Sequence, residues 1–294
     1  MVEKNGGGFV AELRIGTCSW KYDSWKGLIY ADRPRINHLK EYAAHYDTVE
    51  IDQWFWSLHG PDKISLPRPD VVRAYVDSVP ENFCFSVKVP NSITLTHFYR
   101  KSRTEPLTPN PHFLSPALMG QFLETLAPMG PRLGPLMLQF EYLNKQKMGS
   151  QAEFLEKLGD FISACPDGHA YCVETRNPRY LNRPYFDFLA GGGMGHVFIQ
   201  GYYMPSIFET YSEMRQLVKD LTVIRLHGPD RKGIEAKSGS VWNKVVEPRD
   251  DELARLKAML EDLLARGVNA YLNVNNHYEG SAPLTIERIQ KLLD

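Results

Sequence analysis

Eight strand-length runs, most of them followed by a segment with helical spacing, constrain this chain more than any other feature. The runs cover 14–18, 48–52, 83–88, 135–140, 171–176, 196–200, 222–227 and 270–275. Amphipathic spacing predicts helices over 37–45, 69–78, 115–127, 150–164, 182–189, 212–219, 249–265 and 284–293. Asn37 suits an N-cap, Pro69 a first helical turn, and Gly267 a C-terminal stop. Strand then helix, repeated about eight times, predicts an α/β fold with parallel strands: a single (β/α)8 TIM-type barrel. A doubly wound open sheet shares the alternation, but no GxGxxG or GxxxxGK[ST] follows the first strand.

Connection lengths point to one end of that barrel. Segments entering strands are short, as in Cys165-Pro-Asp-Gly-His169, whereas the segments 20–36, 57–68, 90–114, 202–211 and 228–248 leave strands and are long. In a barrel the long set crowns the C-terminal face, where sites of this fold are built. Residues 13–294 read as this one barrel domain, and residues 1–12, with Gly6-Gly7-Gly8, as a flexible tail.

A strand alternates its faces, so one parity of each run faces the helices and the other the lumen. Taking Val49, Ile51, Phe85, Val87, Leu136, Leu138, Val173, Ile224, Leu226, Leu272 and Val274 as outward leaves a polar inward set. That set is Glu50, Asp52, Lys88, Gln139, Glu174, Arg176, Arg225, His227, Asn273 and Asn275. Barrel lumens are ordinarily filled by branched apolar side chains, and ion pairing only partly offsets desolvation, so a charged ring at the mouth predicts a ligand or reaction site.

Within the ring, Glu50 and Glu174 suit a general acid/base pair. Lys88 suits a Schiff-base nucleophile or an anion clamp, and Arg176, Arg225 and His227 an anion site. No HExxH or HxH motif is present, so no metal is required; the alternative is a single divalent ion held by Glu50, Asp52 and Glu174. Asn273, Asn275, Asn276 and His277 close the last strand with amides and an imidazole that read hydroxyls or base edges. Trp20, Tyr22, Trp25, Trp54 and Trp56 either stack on a sugar or base or plug the barrel. Arg100, Lys101 and Arg103, interleaved with rings on the longest loop, suit phosphate contacts.

A net charge of −1 gives no global pull towards nucleic acid or anionic membrane. Cys18, Cys84, Cys165 and Cys172 form no CxxC pair and read as buried free thiols in a reducing cytoplasm. No apolar run approaches a membrane span.

The chain resembles the YecE-like family, domain of unknown function 72. The resemblance rests on Ile15-Gly-Thr-Cys-Ser-Trp20, Tyr46-Asp-Thr-Val-Glu-Ile51, Phe85-Ser-Val-Lys-Val-Pro90 and Leu133-Gly-Pro-Leu-Met-Leu-Gln139. Val173-Glu-Thr-Arg176, Ile224-Arg-Leu-His-Gly228 and Asn275-Asn-His-Tyr-Glu-Gly280 continue it in family order. It implies a TIM-barrel-like fold, no established activity, and a fold-level likeness to endonuclease-IV-type barrels without their zinc ligands. After Val-Glu-Ile the family pattern is Asn-Ser-Thr-Phe-Tyr, whereas this chain has Asp52-Gln-Trp-Phe-Trp56, which adds a charge to the mouth. The functional expectation is a hydrolase or isomerase acting on a phosphorylated or sugar-containing small molecule. The alternatives are a nucleic-acid binder using Arg100, Lys101, Arg103, Arg231 and Lys232, or a non-catalytic small-molecule binder.

Overall fold

The computed structural model describes residues 11–100, 102 and 104–294. The expected tail over 1–12 lies almost wholly outside these residues, as do Lys101 and Arg103. Eight parallel strands close into a barrel: β1 (Leu13–Thr17), β2 (Thr48–Ile51), β5 (Cys84–Lys88), β6 (Leu133–Phe140), β7 (Tyr171–Thr175), β8 (Gly195–Gly201), β9 (Leu221–Gly228) and β10 (Asn269–Val274). A two-stranded antiparallel hairpin, β3 (Leu58–Gly60) with β4 (Lys63–Ile64), sits in the loop after β2. Each barrel strand lies beside its predecessor, and β1 pairs with both β2 and β10 to close the ring. All eight expected strands are present, with ends shifted by a few residues.

The helices follow from local signals. Asn37, Ser115, Ser150 and Asn182 accept hydrogen bonds from the first-turn amides of His38–Tyr42, Pro116–Leu126, Gln151–Ala164 and Arg183–Gly191. The helix expected over 212–219 instead spans Ile207–Met214, because Ser206 caps it by accepting from the Phe208 amide. Short helices Asn91–Thr94 and Arg231–Ser238 interrupt stretches expected to be loops. Asp230 caps the latter by accepting from the Gly233 amide.

Alternation sorts the strand side chains. Val49, Ile51, Phe85, Val87, Leu136, Leu138, Val173, Ile224, Leu226, Leu272 and Val274 all join the large core between sheet and helices. Met137, Cys172, Val197 and Val223 form a separate small apolar cluster, packed by Leu221 and Tyr271. Those residues belong to the other parity, so they are the lumen floor. Two residues further along the same strands stand Gln139, Glu174, Arg225 and Asn273, which makes the polar layer the next one towards the C-terminal end. Cys18, Cys165 and Cys172 are buried and Cys84 is half-buried; all four are free thiols.

Candidate functional site

The polar layer is organised by one guanidinium. Arg225, 2% exposed on β9, donates from Nε and Nη2 to the two carboxylate oxygens of Glu50 on β2, at 2.8 and 2.7 Å. Its Nη1 donates to Glu174 Oε2 on β7 at 2.5 Å. Arg176, two residues on, donates from Nε to Glu174 Oε1 at 2.7 Å and from Nη2 to Gln139 Oε1 at 3.3 Å. Asn273 donates from Nδ2 to Ser86 Oγ at 3.1 Å and more weakly to Glu50 Oε2 at 3.4 Å. Burial alone would raise the Glu174 carboxyl, but Arg176, Arg225 and Lys88 outweigh it and bring it to about 2.

This geometry corrects two expectations. A carboxylate held ionised by two guanidinium groups has no proton to give near neutrality, so Glu174 is unsuited to general acid work. Arg225 stands between Glu50 and Glu174, and among the described residues no three His, Cys, Asp or Glu side chains converge as metal ligands. The alternative ion site at Glu50, Asp52 and Glu174 is therefore not formed.

Two charges are left over by the network. Lys88, at the end of β5, lies with Nζ 4.3 Å from the centre of the Phe55 ring, a cation–π contact. Among the described residues it has no carboxylate within ion-pairing distance. Its pKa is lowered by burial and by Arg225, against the opposing pull of Glu50, Glu174 and Asp52. Asp52 follows the end of β2, and among the described residues no other side chain hydrogen-bonds or ion-pairs with its carboxylate. Burial, and then the Glu50 charge, push it up to about 6.

His227, 7% exposed, receives Tyr202 OH at 3.1 Å on Nδ1 and Cys18 Sγ at 3.7 Å near Nε2. Burial and the cations Arg225, Arg176 and Lys88 hold its pKa well below the usual value, so it is neutral at pH 7. Burial and Glu50 push the Cys18 thiol well up, so it is a neutral partner rather than a thiolate nucleophile. The Tyr202 ring also receives the Arg176 guanidinium at 4.9 Å from its centre.

The flanking residues divide. Trp20 is 3% exposed and meets Tyr75 edge-on at 5.2 Å, and Trp25 is fully buried; both are core, which corrects the stacking role expected of Trp20. Asn275 is half-buried and its Oδ1 accepts from the His277 amide, while Asn276 Oδ1 accepts from the Ala282 amide. His277 Nε2 lies 3.1 Å from Glu235, and the ring stands edge-on to Trp242. Arg100 donates to the Glu105 carbonyl. Ser86, Phe55, Cys18 and Tyr202 escaped the sequence reading of the site. Ser86 shares the parity of Lys88 and was legible in principle; Phe55 and Tyr202 come from loops, where alternation gives no signal.

An all-parallel eight-stranded barrel carrying a charged ring at the C-terminal end of its strands defines a TIM-type barrel protein with a polar mouth. A family model described as "Protein of unknown function DUF72" matches residues 14–294, and the chain belongs to that family. It is 26% identical over 169 residues to the UPF0759 protein YecE of Escherichia coli (strain K12), a match covering 58% of this chain and 50% of that protein. The chain thus spans about half the length of the curated relatives it matches. A DUF72 family protein from Thermotoga maritima MSB8 superposes with a TM-score of 0.66 at 22% identity, covering 96% of this chain and 99% of that one. One from Enterococcus faecalis V583 gives a TM-score of 0.66 at 20% identity, covering 96% and 95%. At such identities the likeness shows the fold. Among the described residues no helix is long and apolar enough to cross a membrane.

Proposed function

We propose that the barrel mouth binds a small polar ligand bearing a phosphate or carboxylate, with Lys88 meeting the anion and Asp52 exchanging a proton with the ligand. The observation that carries this reading is the charge left over. Arg225 and Arg176 are occupied by Glu50, Glu174 and Gln139, whereas Lys88 has only an aromatic face and Asp52 no side-chain partner among the described residues. A carboxylate at about 6 is a base poised near neutral pH. Glu50, Glu174, Arg176, Arg225, Gln139 and Asn273 then form the rigid floor of the site, and neutral His227 and Asn275 address ligand hydroxyls. Proton transfer by Asp52 fits an isomerase or hydrolase acting on a phosphorylated or sugar-containing substrate. The nucleic-acid reading has less support, since Arg231 is paired with Glu235 at 2.8 Å.

The test is a thermal-shift screen of sugar phosphates, sugar acids and glycosides against the wild type, Lys88→Ala and Asp52→Asn. A ligand at a hundred times its dissociation constant stabilises the fold by about 2.7 kcal/mol. The expected hit is lost in Lys88→Ala and kept in Asp52→Asn, with turnover lost in the latter. Ligands that bind Lys88→Ala as tightly as the wild type would overturn the assignment.

A further inference from the structure

Beside the mouth, at the same end of the barrel, lies a cleft of about 640 Å3, within the ordinary range for small-ligand sites. Its lining comes from three segments, each leaving a strand just past a residue of the mouth: Tyr142 after Gln139, Asn177 and Arg179 after Arg176, and Tyr203 after Tyr202. Lys145 and Arg179 line it, both exposed and, among the described residues, without a side-chain ion-pair or hydrogen-bond partner. Among the described residues no carboxylate lines it. Two rings line it too, Tyr142 at 53% exposure and Tyr203 at 64%. Large rings left this exposed on a folded protein offer stacking faces.

The cleft is braced rather than formed on demand. Asn177 ties its two main walls by accepting from the Leu143 amide at 2.8 Å and donating to the Leu143 carbonyl at 2.9 Å. Gln151 donates from Nε2 to the Tyr180 carbonyl and to Asn182 Oδ1, both at 3.0 Å. The 14-residue helix Gln151–Ala164 starts at the same space with its first turn already answered: Ser150 Oγ accepts from the Glu153 amide at 3.1 Å and Glu153 Oε2 from the Gly149 amide at 2.9 Å.

We infer that this cleft is a second binding site, separate from the mouth, for a phosphorylated ring compound: a nucleoside monophosphate or a sugar phosphate. The flat face of the base or sugar lies on Tyr142 and Tyr203, and the phosphate meets Lys145 and Arg179. An uncharged ring would leave the two cations unanswered, and a bare phosphate would leave the rings in water.

Titration calorimetry with adenosine 5′-monophosphate, glucose 6-phosphate, adenosine and inorganic phosphate tests this, the first two probes separating the two ligand sources. At least one phosphorylated ring is expected to bind roughly ten-fold or more tightly than adenosine or phosphate. Tyr142→Ala and Tyr203→Ala should each weaken it by roughly five-fold or more. The double variant Lys145→Ala/Arg179→Ala should remove the preference for the phosphorylated form, and every variant is compared with its parent in a Lys88→Ala background, where the mouth no longer competes for the probe. Tyr142, Tyr203, Lys145 and Arg179 are exposed, so their variants are expected to fold. Absence of binding at millimolar concentration in that background, or binding indifferent to the tyrosine and cation variants, would each overturn the inference.

Discussion

Asp52 costs the fold stability that an uncharged residue would not. Its carboxyl titrates at 3.8 in the reference state and at about 6 in the folded protein. Between those values the folded state binds the extra proton, so stability is highest below about pH 4 and falls as pH rises to 6. Above 6 the cost is constant, on the order of 3 kcal/mol for a shift of about two pH units. Asp52→Asn, which restores the residue of the family pattern, should therefore stabilise the protein by up to about 3 kcal/mol at pH 7.5 and by almost nothing at pH 4. Urea denaturation at the two pH values checks this, and an equal gain at both would refute it. Wild-type turnover should show an acid limb near pH 6, because that limb reports protonation of the base, and Asp52→Asn should abolish turnover at every pH.

At the scale of elements, the loops after β8 and β9 are locked together by glycines. Gly228 has φ of +75°, and a Cβ there would come within 2.5 Å of the His277 carbonyl oxygen. Gly201, at φ of +140°, would place a Cβ 2.3 Å from the Gly228 carbonyl oxygen. That close approach lets the Tyr202 amide reach the Gly228 carbonyl at 3.1 Å and brings the Tyr202 hydroxyl to His227. Gly228→Ala should cost roughly 2 to 5 kcal/mol by denaturation, from backbone strain and overpacking together, and disturb His227 in an imidazole NMR titration. A variant as stable as the wild type would show that the two loops give way. This scale also sets what the sequence discloses. Alternation along β2, β5, β6, β7, β9 and β10 put Glu50, Lys88, Gln139, Glu174, Arg225 and Asn273 on the lumen face, because a strand has no third face. It was silent on which carboxylate each arginine takes, since that depends on how strands far apart in sequence meet across the lumen. It was silent also on Trp20 and Trp25, whose burial is decided by loop packing, and on Tyr202, carried by a left-handed turn at φ of +55°.

For the whole molecule, Arg225 is a cross-tie. It joins β9 to Glu50 on β2, 175 residues away in sequence, and to Glu174 on β7. Both carboxylates are within about 1% of full burial, so their charges stay affordable only while the guanidinium is present. Arg225→Ala should destabilise the barrel by about 3 to 5 kcal/mol. Arg225→Lys should recover only part, because an ammonium cannot engage Glu50 through two fixed donors while holding Glu174 with a third. The pH dependence should also steepen. In the wild type, Glu174 at about 2 contributes stability that is complete above its reference value of 4.5 and is lost as pH falls through 2. Without Arg225 two buried carboxylate charges lose their shared partner and only Arg176 and Lys88 oppose burial at Glu174, so the variant should gain more on acidification from pH 7 towards 5 than the roughly 1.4 kcal/mol the wild type gains through Asp52. Denaturant midpoints at pH 7, 6 and 5 measure that difference. Parallel curves for the two proteins would mean that the charged layer does not hold the barrel together from within.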